Sequence, residues 1–139
     1  MGTWWIDEPF MLGSSNPSDA DLERLRPDGF RVIVCLLEEN QQPPRYDHAR
    51  VRALGYERHN IPVRDFHAPS IEQLEQFAVL VRSVGADAKV LVHCEAGVGR
   101  TGTMAAAYWI SKGLSAACPT VAVLGVGRVI LPAGGSGEG

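Results

Sequence analysis

The chain has 139 residues, 45% of them hydrophobic and 21% charged, with a net charge of −3. That suits one ordinary domain with a full core and argues against general nucleic-acid or membrane binding. No stretch is long and apolar enough for a transmembrane helix, the N-terminus lacks a signal peptide's basic-then-apolar order, and three cysteines point to a reducing, cytoplasmic setting.

Trp4-Trp5-Ile6 and Phe10-Met11-Leu12-Gly13 read as two short strands around the acidic turn Asp7-Glu8-Pro9. Ser18 to Leu25 reads as a short helix with acids in its first turn, stopped by Pro27 and Gly29. Arg31 to Leu37 is a buried strand by its β-branched content, and Glu38 to Arg45 is a polar loop with two prolines. A basic helix then runs to Leu54, is ended by Gly55, and gives way to a strand near Tyr56–Ile61. Ser70 and Gln73 form a capping box for an amphipathic helix carrying Ile71, Leu74, Phe77, Ala78, Val81 and Val84. Strand Lys89–His93, a glycine-containing loop and helix Thr101–Lys112 follow. Strands alternating with helices predict an α/β fold with a central, mostly parallel sheet flanked by helices, and a ligand site at the carboxyl end of its last strand.

That loop is the chemically informative part. His93-Cys94-Glu95-Ala96-Gly97-Val98-Gly99-Arg100-Thr101-Gly102 places a cysteine and an arginine around a tight turn that opens a helix. Backbone N–H groups of such a loop favour an anion, and the helix dipole helps. The same groups would stabilise a thiolate on Cys94, while the fork of Arg100 can hold two phosphate oxygens. Glu95, Ala96, Gly97, Val98, Gly99 and Arg100 are therefore expected to bind phosphate. The stretch also satisfies G-x-G-x-x-G, but no Asp or Glu stands between Glu95 and Glu138 to hold a ribose. A nucleotide P-loop would need Gly at Cys94 and Lys at Arg100.

The stretch matches H-C-x-x-G-x-x-R-[ST]-G, the signature of cysteine-dependent protein tyrosine and dual-specificity phosphatases. The span from Trp4 to about Leu114 resembles the small atypical dual-specificity phosphatases. The resemblance implies that Cys94 is the nucleophile, that Arg100 binds phosphate and stabilises the transition state, that Thr101 stabilises the thiolate, and that His93 orients the loop. It implies no cofactor and no metal. Asp65, at the family's spacing ahead of Cys94 and in a matching D-x-x-x-P-S context, is expected as general acid and base. Arg64 stands where small relatives often carry Pro.

The expected substrate is a phosphorylated protein or small phosphomonoester carrying phosphotyrosine, phosphoserine or phosphothreonine. Phosphate, vanadate or sulfate are expected as site ligands, with no nucleic acid, no membrane and a monomeric chain. The alternative readings are a catalytically impaired phosphopeptide-binding module, or a sulfur-transfer or arsenate-reducing enzyme. Glu95 in the loop should disfavour polyanionic inositol lipids.

The catalytic domain is expected over 1–116. Residues 117–139 diverge: Arg128 and Glu138 are the only charges there, and a truncated or frame-shifted terminus, or an extra strand over Val121–Ile130 with a flexible tail, is expected. Cys35 reads as a core residue. In some relatives such a cysteine pairs reversibly with the nucleophile, which would make a Cys35–Cys94 disulfide. Cys118 has no assigned role. His48, His59 and His67 lack metal-ligand spacing. Arg45, Arg50, Arg52, Arg58 and Arg64 make the middle segment basic, either as a solvated face or as a rim that attracts anions.

Overall fold

A computed structural model describes residues 1–85 and 87–113. The boundary expected after residue 116, the divergent 117–139 segment, its expected strand and Cys118 lie outside the described residues. The elements run β1 (Thr3–Asp7), β2 (Met11–Ser14), α1 (Asp19–Leu25), β3 (Phe30–Cys35), α2 (His48–Ala53), β4 (Glu57–Asn60), α3 (Ile71–Ser83), β5 (Lys89–His93) and α4 (Gly99–Ser111). The sheet order is β1-β2-β5-β3-β4. Among the described strands only the β1–β2 pair is antiparallel, so the sheet is mostly parallel as expected.

The alternation of side chains along the central strands splits the core in two. Met11, Val32, Val34, Val90 and Val92 face Phe77 and Val81 of α3 and Met104 and Ala105 of α4. Leu12, Ile33 and Leu91 point the other way, into a cluster with Leu22 of α1 and Val51 of α2. Because both faces are covered, the central strands are apolar at nearly every position.

Element ends differ from expectation by local chemistry. Pro27 does not simply stop α1 but sits in a 3₁₀ turn over Arg26–Asp28, closed by Gly29 at φ +104°. Leu36 and Leu37 stay buried beyond β3, where their carbonyls accept from Val63 N–H (3.0 Å) and Asn60 Nδ2 (3.0 Å). Helix α4 starts two residues before the expected Thr101, which takes Arg100 into its first turn. The expected capping box forms at Ser70 with Gln73, and a second one forms at Ser18 with Asp21. Among the described residues, no helix is long and apolar enough to cross a membrane.

Candidate active site

Strand β5 is the middle strand, so the loop after it opens at the centre of the sheet's carboxyl edge, at the end where crossovers leave a crevice. Cys94 is 2% exposed, and its sulfur accepts two hydrogen bonds: from Gly97 N–H at 3.3 Å and from Thr101 Oγ1 at 3.1 Å. Among the described residues no side chain caps α4, whose N-terminus opens at the loop.

Gly97 is the loop's obligatory glycine. Its φ is +82°, and a Cβ there would lie 2.6 Å from the backbone of Ser14 and Ser15. The loop therefore rests directly on the end of β2. Trp4 Nε1 donates to the Gly97 carbonyl at 2.7 Å and holds it there.

Arg100 is 5% exposed and its fork is fixed on one side. Nη1 donates to the Val63 carbonyl (3.1 Å) and Nη2 to Gln42 Oε1 (2.8 Å), while Asp65 Oδ1 lies 3.4 Å from Nη2. Among the described residues, Nε–H and the second N–H of Nη1 have no partner. Gln42 also donates from Nε2 to Asp65 Oδ2 at 3.1 Å, so one amide ties the arginine to the acid. Cys94, Arg100 and Asp65 line one cavity of about 460 Å³, together with Glu95, Ala96 and Gly99.

His93 is completely buried beneath the loop. Its Nδ1 lies 3.3 Å from the Cys94 carbonyl and its Nε2 lies 2.8 Å from Tyr46 Oη, which in turn accepts from Arg58 Nε at 3.0 Å. The carbonyl can only accept, so Nδ1 carries the proton and Tyr46 donates to Nε2. Burial pushes the imidazole down to about 4, and the charges of Arg58 and Arg100 add to the effect. A neutral His93 therefore supports the backbone of Cys94. Burial likewise pushes the Tyr46 hydroxyl far above its ordinary value.

A family described as "Polymorphic toxin system, DSP-PTPase phosphatase" matches residues 10–114, a span that holds β2 through α4 and every group described above except Trp4. The chain belongs to this phosphatase family. It is 35% identical over 98 residues to an Arabidopsis thaliana protein named phosphatidylinositol 3,4,5-trisphosphate 3-phosphatase and protein-tyrosine-phosphatase PTEN1, covering 68% of this chain and 22% of that one. It is 31% identical over 137 residues to the tyrosine-protein phosphatase CDC14 homolog of Schizosaccharomyces pombe, covering 89% of this chain and 25% of that one. The chain thus spans about a quarter or less of the length of these relatives. The structure of Tk-PTP in its active form is 35% identical, with a TM-score of 0.70 over 81% of this chain and 76% of that one. PTPMT1 shares the fold, with a TM-score of 0.74 at 22% identity over 94% and 87% of the two chains.

Within this phosphatase domain the fold brings His93, Cys94, Asp65, Arg100 and Thr101 to one end of the sheet. Val98 is half exposed at the N-cap of α4. Cys35 is buried at the end of β3, level with His93, and both it and Cys94 are free thiols. The basic segment is partly neutralised: Arg50 pairs with Glu23 and Arg58 with Glu39. His48 and His59 likewise sit beside Glu39 and Glu57.

Four residues with no expected role prove central. Trp4, Gln42 and Tyr46 act as described. Asn16, 5% exposed, accepts from Arg45 N–H (3.0 Å), donates to the Pro43 carbonyl (3.1 Å) and Glu95 Oε1 (3.2 Å), and its backbone N–H donates to the Glu95 carbonyl (3.0 Å). Asn16 thereby joins three loops at the cavity. Its one sequence signal is an Asn-Pro pair that begins two residues after a strand.

Proposed function

We propose that this chain hydrolyses phosphate monoesters of tyrosine, serine or threonine through a phosphocysteine intermediate. The observation that carries the reading is the pair of hydrogen bonds donated to one buried sulfur, from Gly97 N–H and Thr101 Oγ1, at the floor of a cavity that also holds Arg100 and Asp65.

In the first step the Cys94 thiolate attacks phosphorus in line with the departing ester oxygen, forming the S–P bond as the P–O bond breaks. Arg100 and the loop N–H groups hold the three equatorial oxygens, where negative charge accumulates. Protonated Asp65 gives its proton to the leaving oxygen, and the alcohol or phenol departs. In the second step Asp65, now a carboxylate, removes a proton from water as the water oxygen attacks phosphorus. The S–P bond breaks, inorganic phosphate forms, and Thr101 stabilises the released thiolate. The guanidinium and the amides supply the charge stabilisation that a metal ion supplies in other phosphatases.

The Arabidopsis relative's name carries both phosphoinositide and phosphotyrosine substrates. Here Glu95 lines the cavity with its carboxylate held by Asn16. A carboxylate beside the phosphate cradle favours a singly phosphorylated ester over a polyphosphorylated inositol. The test is hydrolysis of an aryl phosphate in EDTA by wild type and by Cys94→Ser. Turnover that vanishes in the variant supports the reading. Saturable vanadate binding by folded protein without turnover would replace it with a phosphopeptide-binding module.

A further inference from the structure

Trp4 reaches the cysteine loop from the edge strand β1, and a missing side chain clears its way. It is paired with Gly13 across β1 and β2. A Cβ on Gly13 would lie 3.0 Å from Trp4 Cε2, 3.1 Å from Trp4 Cζ2 and 3.0 Å from Thr101 Cγ2. Gly13 lies inside β2 and has no positive φ, so what it supplies is space. The indole crosses β2 there, beside the threonine that donates to Cys94. The start of β1 is pinned at the same end, by Ser15 N–H donating to the Gly2 carbonyl (3.0 Å) and Gly2 N–H donating to Ser15 Oγ (3.1 Å).

The acceptor of the indole N–H is the Gly97 carbonyl, half of the Gly97–Val98 peptide. That peptide is planar and trans, so its carbonyl and the Val98 N–H point in opposite directions. Ala96 and Gly99, on either side of it, line the cavity, whereas Trp4 approaches from the sheet. A carbonyl turned to Trp4 therefore turns the Val98 N–H toward the anion. Gly97, at φ +82°, adjoins this peptide, and a plane beside a glycine rotates at little steric cost. Rotated, it would present an oxygen where the cradle needs a donor, and an oxyanion would be repelled. Resting on the phosphatase reading above, we infer that Trp4 is a positioning residue whose indole N–H locks the Gly97–Val98 peptide in its anion-binding orientation.

The test compares the full chain with Trp4→Phe, which keeps a ring over Gly13 and loses the N–H. Two readouts are taken at the same loop: vanadate affinity by titration calorimetry, and the rate at which the uncharged reagent iodoacetamide alkylates Cys94. The variant binds vanadate about tenfold more weakly and loses a similar factor in kcat/KM on an aryl phosphate, while alkylation stays within about twofold of wild type. A loop that is merely loosened exposes the sulfur, so a matching change in alkylation overturns the inference. Unchanged vanadate affinity overturns it too and leaves the phosphatase reading intact. A second measurement needs no variant. The lock and the anion stabilise one peptide orientation, so saturating vanadate slows hydrogen exchange of the Trp4 indole N–H in wild type. Exchange that vanadate leaves unaltered overturns the inference. Folded wild type that neither binds vanadate nor hydrolyses any phosphomonoester removes both readings.

Discussion

Asp65 is gripped from three sides, by Gln42 Nε2, by Phe66 N–H and at longer range by Arg100. In the proposed first step Asp65 gives its proton to the leaving oxygen, so its contribution should depend on how poorly that oxygen departs. Asp65→Asn is expected to lower kcat about 10²- to 10³-fold on a phosphothreonine peptide. The loss should be several-fold smaller on p-nitrophenyl phosphate, whose leaving group departs readily as an anion. Equal losses on both substrates in steady-state kinetics would remove Asp65 from the proton-transfer role.

At the scale of elements, the unit that matters is β5, its loop and α4, and two glycines in it answer opposite questions. Gly97 carries positive φ and a Cβ there would strike the backbone at the end of β2, whereas a Cβ on Gly102 meets nothing within 4 Å outside its own helix. Gly97→Ala is expected to cost about 2 kcal/mol or more, because either the loop or β2 must move. Gly102→Ala is expected to stabilise by up to about 1 kcal/mol, because it replaces a poor helix former inside α4. Urea denaturation of the two variants measures both. A Gly97→Ala protein as stable as wild type would mean that the loop does not rest on β2 as described.

For the whole molecule, acid stability is tied to one buried ring under the sheet's carboxyl edge. His93 is held at about 4 in the folded state, against about 6.5 when unfolded. Between those values the unfolded chain binds the proton and the native chain does not. The stability that neutral His93 confers is therefore present above about pH 6.5, is lost as pH falls toward 4, and is fully lost below that. The window is worth about 3 kcal/mol at about 1.4 kcal/mol per pH unit. Urea midpoints at pH 7 and pH 4.5 should differ less in His93→Gln than in wild type. An identical pH slope in the two proteins would show that His93 is not the group responsible.

The residues from His93 to Gly102 are legible in the sequence because their arrangement is local: a strand, a glycine turn and a helix start lie within a few positions of one another. Hydrophobic periodicity likewise reveals the helices and the buried strands, and their alternation reveals the parallel sheet. Strand order, and the loops that meet at the cavity, follow from packing across the sheet. Trp4 reaches Gly97, Asn16 reaches Glu95, Gln42 reaches Arg100 and Tyr46 reaches His93, each across a long stretch of chain. No local spacing encodes such partners, since a Gln or Asn in a polar loop has the same sequence signature whether or not it is captured. The left-handed backbone of Phe66 was equally hidden, because a phenylalanine beside an Asp gives no sign of occupying a glycine's place in a turn. The sequence alone determined which atoms could do chemistry; the tertiary structure decided what holds them, because those hydrogen bonds exist only once β2, β3 and β5 lie side by side.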